Sequence, residues 1–162
     1  MKVEASKNNA FAPKPLILVS CRDKKGNENA LAVAYCGNCS YDPPMLMVGI
    51  VPSRASYPMI KESGCLVVNL VPKSYKKEFN YLGSVSRRDE DKLVKGNIKT
   101  APAKKIPAPI LSDCPVNIEC TIVDSIMTGS HEMFVCKIEY VNADPAVLKE
   151  DGKIDFSKID LL

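Results

Sequence analysis

The sequence has few glycines, and none of them lie close together. Its eight glycines are never nearer than the 11 positions that separate Gly26 from Gly37. The dinucleotide fingerprint and the phosphate-binding P-loop both need glycines a few residues apart, so neither can be present. The single histidine, His131, excludes a histidine-rich metal site, and the chain has no Gly-x-Ser-x-Gly elbow of a serine hydrolase. Any nucleotide must therefore be held by other means.

The chain also lacks the segments that would direct it to a membrane or out of the cell. No apolar run approaches the roughly 18–20 residues that span a bilayer. The first residues, Met1–Ser6, lack the charged-then-apolar order of a signal peptide. The seven cysteines are odd in number and irregularly spaced, which is not a disulfide framework. We therefore expect a cytoplasmic protein with reduced thiols and no membrane partner.

Length and charge set further limits. A chain of 162 residues predicts a single domain, 1–162, with a core of its own. The net charge of +3 is too small to indicate nucleic acid and suits a mildly positive site for an anionic ligand. Arg87 and Arg88 are followed by Asp89-Glu90-Asp91, a pattern typical of a solvated face.

Short apolar segments bounded by turn residues predict a mainly β, α+β protein. Alternation of apolar and polar residues over 116–122 and 134–140 indicates half-buried antiparallel strands. Ser56 is suited to cap a short helix that Gly64 ends. Six strands with the helices confined to the middle favour a closed or split barrel. The predicted strands are 15–21, 29–35, 45–51, 65–70, 116–122 and 134–140; the predicted helices are 56–63, 74–82 and 89–95, and 99–109 is an irregular connector.

The most informative segment is the loop that follows the apolar strand 45–51. It reads Pro52-Ser53-Arg54-Ala55-Ser56. Serine hydroxyls, free backbone N–H groups and a guanidinium make a suitable cradle for a phosphate. The strand 29–35 is rich in small residues and ends in Tyr35, so a flat ligand could lie against it while its phosphate reaches the loop. Together the two segments predict a site for flavin mononucleotide (FMN).

A second motif is the pair Cys36-Gly37-Asn38-Cys39, which has the C-x-x-C spacing of thioredoxin-type proteins. That chemistry needs the first thiolate at a helix N-terminus, whereas Pro43 and Pro44 forbid a regular helix beyond the first turn here. A structural metal centre usually needs a second such pair, and none exists. A redox-accessory role beside a flavin and a simple tight loop both stay open. Cys120 and Cys136 are expected to fill the core.

Two polar residues outside these motifs are candidates for the site. His131 lies in the turn between the two long strands, where it could donate to a ligand or serve the structure alone. Lys92 would by itself be read as a surface charge. No local pattern decides between these readings.

The order of the motifs resembles that of the flavin reductase-like family, which includes flavoredoxins and archaeal ferric reductases. The resemblance covers about 14–142. It rests on Ser-x-Asp-Pro-Pro at 40–44, Pro-Ser-Arg-x-Ser at 52–56, Val-Val-Asn-Leu at 67–70, Asp91-Lys92-Leu93, and Gly129-Ser130-His131. Tyr35 stands where this family often has tryptophan, and Ser130 replaces the usual aspartate.

The resemblance implies a six-stranded Greek-key split β-barrel with a few short helices, a homodimer, and one FMN per subunit near the dimer interface. Residues 143–162 would form a tail that could pack on the partner chain. The resemblance also implies electron transfer through flavin N5. The residues that would border the flavin are Asn29, Val33, Ala34, Tyr35, Ser53, Arg54, Ser56, Lys92 and His131.

These observations predict an FMN-dependent oxidoreductase that takes electrons from NAD(P)H or a redox protein. It would act as a flavin or ferric reductase or as a flavoredoxin-like carrier. His131, Cys36 and Cys39 are the candidate catalytic residues, and no metal or nucleic acid is expected. The alternatives are a thiol-redox or cysteine–metal protein that uses Cys36 and Cys39, and a non-catalytic flavin-binding module.

Overall fold

The computed structural model describes residues 1–162 and centres on one antiparallel sheet that curls into a half-barrel. Three short helices and several 3-10 turns lie outside it. The strands are β1 Ile17–Arg22, β2 Glu28–Val33, β3 Cys36–Ser40, β4 Met45–Ile50, β5 Cys65–Leu70, β6 Thr100–Pro102, β7 Pro109–Leu111, β8 Val116–Met127 and β9 Glu132–Ala143. The helices are α1 Ser56–Ser63, α2 Lys76–Ser84 and α3 Lys92–Lys95, and the 3-10 turns span Lys73–Tyr75, Pro145–Val147 and Phe156–Lys158.

Seven strands form the main sheet in the order β2-β1-β5-β8-β9-β4-β3, and β6 and β7 pair separately. Every neighbouring pair is antiparallel. The predicted split-barrel fold is confirmed. Strands β2 and β3 are the two edges, so half of the backbone groups of each face away from the sheet. The outer edge of β2 therefore has no neighbouring strand.

The inner face of the sheet buries the main core. The long strands β8 and β9 bring Cys120, Phe134 and Cys136 together with the apolar residues of β1, β4 and β5. Cys120 and Cys136 are fully buried, as their alternating phase predicted. Helix α1 closes this core with Met59 and Ile60. The alternating phase of β8 and β9 therefore explains which of their apolar residues enter this core.

The prediction of six strands missed β3. This strand contains the Cys-Gly-Asn-Cys motif, which was expected to form a loop or a turn of helix. It pairs with β4 alone, and its register shifts between Asn38 and Ser40, which leaves Cys39 at a bulge. None of its residues is buried, so neither face of β3 requires an alternating apolar pattern.

Strand β8 also differs from the half-buried strand that its alternation predicted. Asn117 and Glu119, which were expected to face solvent, are buried. The segment that follows β6 covers this face, and the backbone N–H groups of Lys104 and Lys105 donate to the Glu119 carboxylate at 2.8 and 2.7 Å. Because both faces of this half of β8 are covered, the polar residues are held by hydrogen bonds rather than by water.

The connector 99–109 is also more ordered than expected. It contains β6 and leads into β7, and Ile106 and Ala108 pack on Cys65 and Val67 of β5. No helix in the structure has the length and apolar character needed to cross a membrane.

Helices α2 and α3 begin later than predicted, and the cap of α1 differs from the one predicted. Helix α1 ends at Gly64, which has a φ of 68°, as expected for a left-handed cap. Ser56 does not cap it: the capping position is Ala55, and the Ser56 hydroxyl bonds elsewhere. Helix α3 begins at Lys92 rather than at 89, and the Asp91 side chain accepts the Val94 N–H. Residues 85–91 are thereby left as a loop between α2 and α3.

Gly96 ends α3 in a space that excludes any side chain. A Cβ atom there would lie 2.5 Å from Cε1 of Tyr81 and 2.8 Å from the carbonyl oxygen of Lys92. We expect Gly96→Ala to lower the free energy of unfolding by about 1–3 kcal/mol, because a backbone atom must move. Chemical denaturation monitored by circular dichroism measures this.

Gly37→Ala is the matched control for this prediction. Its new Cβ would meet only the Cε atom of Met47, at 3.5 Å, which is an ordinary contact. The control should change stability by no more than about 0.5 kcal/mol. Equal stabilities for the two variants would contradict the packing described at Gly96.

Candidate functional site

A cavity of about 240 Å³ lies beside residues 29–32 of the edge strand β2. The loop 53–56 forms one wall, and the α2–α3 loop with the end of α2 forms the other. Four cations line it and no carboxylate does, so we call it the cationic cavity. Its lining residues are Asn29, Leu31, Ala32, Ser53, Arg54, Ala55, Ser56, Leu82, Gly83, Ser84, Val85, Ser86, Arg87, Arg88 and Lys92.

The loop 53–56 is held in place from three sides. Strand β4 feeds into it, and the Arg54 N–H bonds the Val51 carbonyl at 3.0 Å. The Arg88 guanidinium donates through Nη1 to the Ser53 carbonyl at 2.8 Å. At its far end the Ser56 hydroxyl accepts from Nδ2 of Asn29 at 2.7 Å. The loop is therefore fixed relative to β2 and to the α2–α3 loop before any ligand arrives.

Lys92, the first residue of α3, is a buried cation whose side chain reaches the C-terminal end of α2. Its side chain is almost fully buried, and Nζ donates to the carbonyls of Leu82 and Val85 at 2.7 and 2.9 Å. These bonds use two of its three N–H donors. Burial lowers the pKa of Lys92 to about 8, and the positive charge of Arg54 acts in the same direction. The expectation of a surface charge, drawn from the residue alone, is thus wrong.

Arg87 and Arg88 were expected on a solvated face, yet both line the cationic cavity. Arg87 donates through Nε to the Glu28 carbonyl at 2.7 Å and pairs with Asp91 at 3.5 Å. Arg88 has no carboxylate partner. A signal was present, because Ser84-Val85-Ser86-Arg87-Arg88 repeats the hydroxyl and arginine content of the loop 53–56.

The polar atoms of this cavity are not all satisfied by the protein. Oδ1 of Asn29 is buried and has no hydrogen-bond partner. A buried polar atom without a partner is uncommon and costs free energy unless a ligand or water meets it. The four cations in the lining, with no carboxylate among them, suit an anionic ligand.

A pair of aromatic rings lies beyond the other end of β2. The rings of Tyr35 and His131 meet edge to face with centroids 4.8 Å apart. The Ser130 hydroxyl bonds Nδ1 of His131 at 2.8 Å, so a hydroxyl takes the place of the carboxylate that is usual in the resembling family. This leaves Nε2 for another partner. His131 lies in the turn between β8 and β9, as predicted.

Gly49 allows this pair to form. Its N–H donates to the Tyr35 carbonyl at 2.7 Å. A Cβ atom at this position would lie 3.1 Å from Cβ of Tyr35 and 3.2 Å from Cε of Met133. A larger residue at 49 would therefore push Tyr35 away from β4.

The cationic cavity lies along residues 29–32, and the aromatic pair begins at Tyr35, further along the same segment. The three residues from Ala32 to Tyr35 span roughly 10 Å where the chain is extended. Since β2 pairs only with β1, backbone groups on its outer edge are available along this path. Val33 points its side chain into the core, so it can offer a ligand its backbone only. The arrangement suits an elongated ligand with an anionic end.

The two cysteines of the C-x-x-C motif lie apart from the cationic cavity. Cys36, with Ala34 and Tyr35, lines an apolar cavity of about 440 Å³ that the N-terminal segment 7–15 helps to enclose. Cys39 is exposed and lines a separate depression. Both thiols are free, and they lie in a strand rather than at a helix N-terminus. Burial raises the pKa of Cys36 to about 11, which keeps it protonated.

The structure therefore brings together five of the predicted residues, Asn29, Ser53, Arg54, Ser56 and Lys92, in one cavity. Tyr35 and His131 form a second group. No cluster of three or more His, Cys, Asp or Glu side chains is arranged to hold a metal ion.

Comparison with known proteins agrees with this geometry. An uncharacterized protein of Archaeoglobus fulgidus is 31% identical over 129 residues, which cover 80% of this chain and 72% of that protein. An FMN reductase (NADH) RutF of Methylorubrum extorquens is 29% identical over 126 residues, 78% of this chain and 59% of that protein. The chain thus spans less than two thirds of the RutF relative.

Among solved structures, the flavoredoxin from Methanosarcina acetivorans superimposes with a TM-score of 0.91 at 28% identity. The superposition covers all of this chain and 85% of the flavoredoxin. The profile of the flavin reductase like domain matches residues 10–155, nearly the whole length. The chain therefore belongs to the flavin reductase-like domain family.

Proposed function

We propose that this protein binds FMN and uses it to pass electrons from a reduced donor to an acceptor. The observation that carries the proposal is the cationic cavity at one end of an open strand edge, with the Tyr35–His131 pair at the other. In this proposal the phosphate lies in the cavity and the flavin ring beside 33–35.

The residues present fit FMN. Its phosphate carries about −1.5 to −2 charges at pH 7. Arg54 and Lys92 supply two cations, and Ser53 and Ser56 supply hydroxyls close to them. The backbone groups of 33–35 other than the Tyr35 carbonyl, which accepts from Gly49, would offer donors and acceptors to a planar ring.

Bound FMN would supply the redox chemistry, by accepting electrons from a donor and releasing them to an acceptor. The chain's own residues bind and orient. Ser130 holds the His131 ring through Nδ1, and His131 packs edge-on against Tyr35. In the proposal this pair borders the flavin ring and leaves Nε2 of His131 to donate to the ring or to a substrate.

The relatives favour two kinds of donor. The RutF relative is an FMN reductase that uses NADH, whereas the structural relative from Methanosarcina acetivorans is a flavoredoxin. We therefore propose NAD(P)H or a small redox protein as donor, with free flavin, a ferric chelate or a second redox protein as acceptor. We also propose a homodimer, because Val123, Ile126 and Met127 of β8 each expose more than half of their surface.

The alternatives that use Cys36 and Cys39, as a thiol-redox pair or as metal ligands, have less support. A strand location and a raised pKa both disfavour Cys36 as an attacking thiolate. We propose that Cys36 and Cys39 are at most accessory to electron transfer.

The first prediction concerns FMN affinity. Arg54→Ala should weaken FMN binding by about tenfold or more, equivalent to ~1.4 kcal/mol, because it removes an uncompensated cation from the phosphate site. Riboflavin, which lacks the phosphate, should bind both proteins equally. Flavin fluorescence quenching measures the four dissociation constants.

Lys105→Ala is the control for Arg54→Ala. It also removes one positive charge, but Lys105 is exposed and lies outside the cavity. Its FMN affinity should match that of the parent. Wild-type protein that fails to bind FMN would end the proposal, and unchanged affinity in Arg54→Ala would remove Arg54 from the site.

The second prediction concerns pH. Because the pKa of Lys92 is about 8 in the free protein, its ammonium loses its proton as the pH rises through this value. The second pKa of a phosphate is about 6, so the phosphate approaches its full charge at about pH 7. FMN affinity should therefore be greatest between about pH 7 and 8 and fall above it. Titrations of FMN from pH 6 to 9.5 measure this.

Lys92→Met tests the assignment of that pH dependence. This variant should bind FMN more weakly at pH 7 and show no further decline between pH 7 and 9.5. A wild-type affinity that stays constant across this range would show that Lys92 does not titrate against the ligand.

The third prediction concerns turnover. FMN-loaded protein should oxidise NADH or NADPH when free flavin or a ferric chelate is added. The variant with both Cys36→Ser and Cys39→Ser should keep its FMN and most of this rate. Loss of all activity with FMN retained would instead give the cysteines a direct redox role, and no oxidation by wild type would favour a carrier that a redox protein reduces.

A further inference from the structure

A buried carboxylate, Glu132, accepts hydrogen bonds from side chains of two elements, α1 and β8, next to the proposed site. It is the first residue of β9 and follows His131 directly. Its carboxylate accepts hydrogen bonds from the Tyr57 hydroxyl, from Nζ of Lys61 at 2.8 Å and from the Ser125 hydroxyl at 2.6 Å. The residue is only 6% exposed. None of the sequence motifs included it.

The contacts with Tyr57 and Lys61 attach helix α1 to the end of the β8–β9 hairpin. The two residues are four apart, so they lie on one face of α1. The Tyr57 ring also packs against Phe134, with centroids 6.1 Å apart. At its first residue, Ser56, the same helix is bonded to Asn29 of β2. Helix α1 is thus held by polar contacts to two different strands.

Tyr57 alone links the Glu132 carboxylate to the loop 53–56. The Tyr57 side chain bonds Glu132, while the Tyr57 backbone N–H donates to the Arg54 carbonyl at 3.0 Å. On its other side, Glu132 is bonded through the main chain to His131, whose carbonyl closes the hairpin turn by accepting from Thr128 N–H at 2.9 Å. Glu132 is therefore linked to the loop 53–56 through Tyr57 and to His131 through the main chain.

Burying a charged group at this position costs desolvation free energy. Burying a carboxylate requires every acceptor to be paired, and an apolar side chain often gives equal stability. The lysine, tyrosine and serine donors hold the pKa of Glu132 down at about 2, so the charge persists at all physiological pH values. Directional bonds supply what an apolar contact lacks, namely a defined orientation of α1.

We infer that Glu132 is a positioning residue that holds the phosphate-binding loop 53–56 in a fixed relation to His131. The inference rests on the proposed function. Without the carboxylate, α1 can shift on the sheet, and the Arg54 carbonyl and side chain shift with it. The loss should therefore fall on the phosphate end of the ligand.

The experiment compares Glu132→Gln with Glu139→Gln by titration with FMN and with riboflavin. Glu139 is the matched control: it lies on the same strand and accepts from Thr121 at 2.6 Å and from Lys137 at 3.3 Å, with no bond to α1. Glu132→Gln should weaken FMN by about tenfold and riboflavin by less than about threefold. Glu139→Gln should leave both within about twofold of wild type.

Tyr57→Phe supports the test if Glu132→Gln fails to fold, as judged by circular dichroism and thermal melting. It removes one bond to the carboxylate and keeps the ring and the backbone bond to Arg54, so FMN should weaken by about threefold and riboflavin should not change. Equal losses for FMN and riboflavin, or an FMN affinity that neither variant alters, would overturn the positioning role. Failure of wild type to bind FMN would overturn the proposed function itself.

Discussion

The buried ammonium group of Lys92 is the constraint on which the cationic cavity depends. An amine can be charged in the interior only where acceptors are arranged around its N–H groups. Here the carbonyls at the C-terminal end of α2 accept two of its N–H groups. These bonds fix the α2–α3 loop, which carries Arg87 and Arg88. With Arg54 across the cavity and no carboxylate in its lining, the positive charge is left for a ligand to neutralise.

The sheet places this charge where a long ligand can use it. The strand β2 is an edge, so one end of its free side meets the cavity and the other leads to Tyr35 and His131. Helix α1 joins the two ends of the arrangement, with Ser56 bonded to β2 and Tyr57 and Lys61 bonded to β9 through Glu132. The fold thereby sets the distance between the cationic cavity and the Tyr35–His131 pair.

Much of this could be predicted from local patterns. The apolar runs and alternation located six of the seven strands of the main sheet, and Gly64 marked the end of α1. The strand β3 was missed because Cys-Gly-Asn-Cys-Ser has no alternation and pairs on one side only. Glu119 was expected to face solvent, because a strand pattern cannot show that a distant segment covers its second face.

The site shows the same division. The loop 53–56 was recognisable because hydroxyls and arginine are contiguous there. Arg87, Arg88 and the burial of Lys92 depend on how the α2–α3 loop folds over β2, which no local charge pattern reveals. Glu132 was missed for a related reason, since its partners lie 71 and 75 residues away in the chain. Long-range contacts of polar side chains were the part that required a structure.

The most direct test of the central claim is a crystal structure of the protein grown with excess FMN. The account predicts the phosphate between the loop 53–56 and Lys92, and the ring along 33–35 beside His131. A cationic cavity that stays closed by the protein's own side chains, or a flavin that binds elsewhere on the surface, would contradict it.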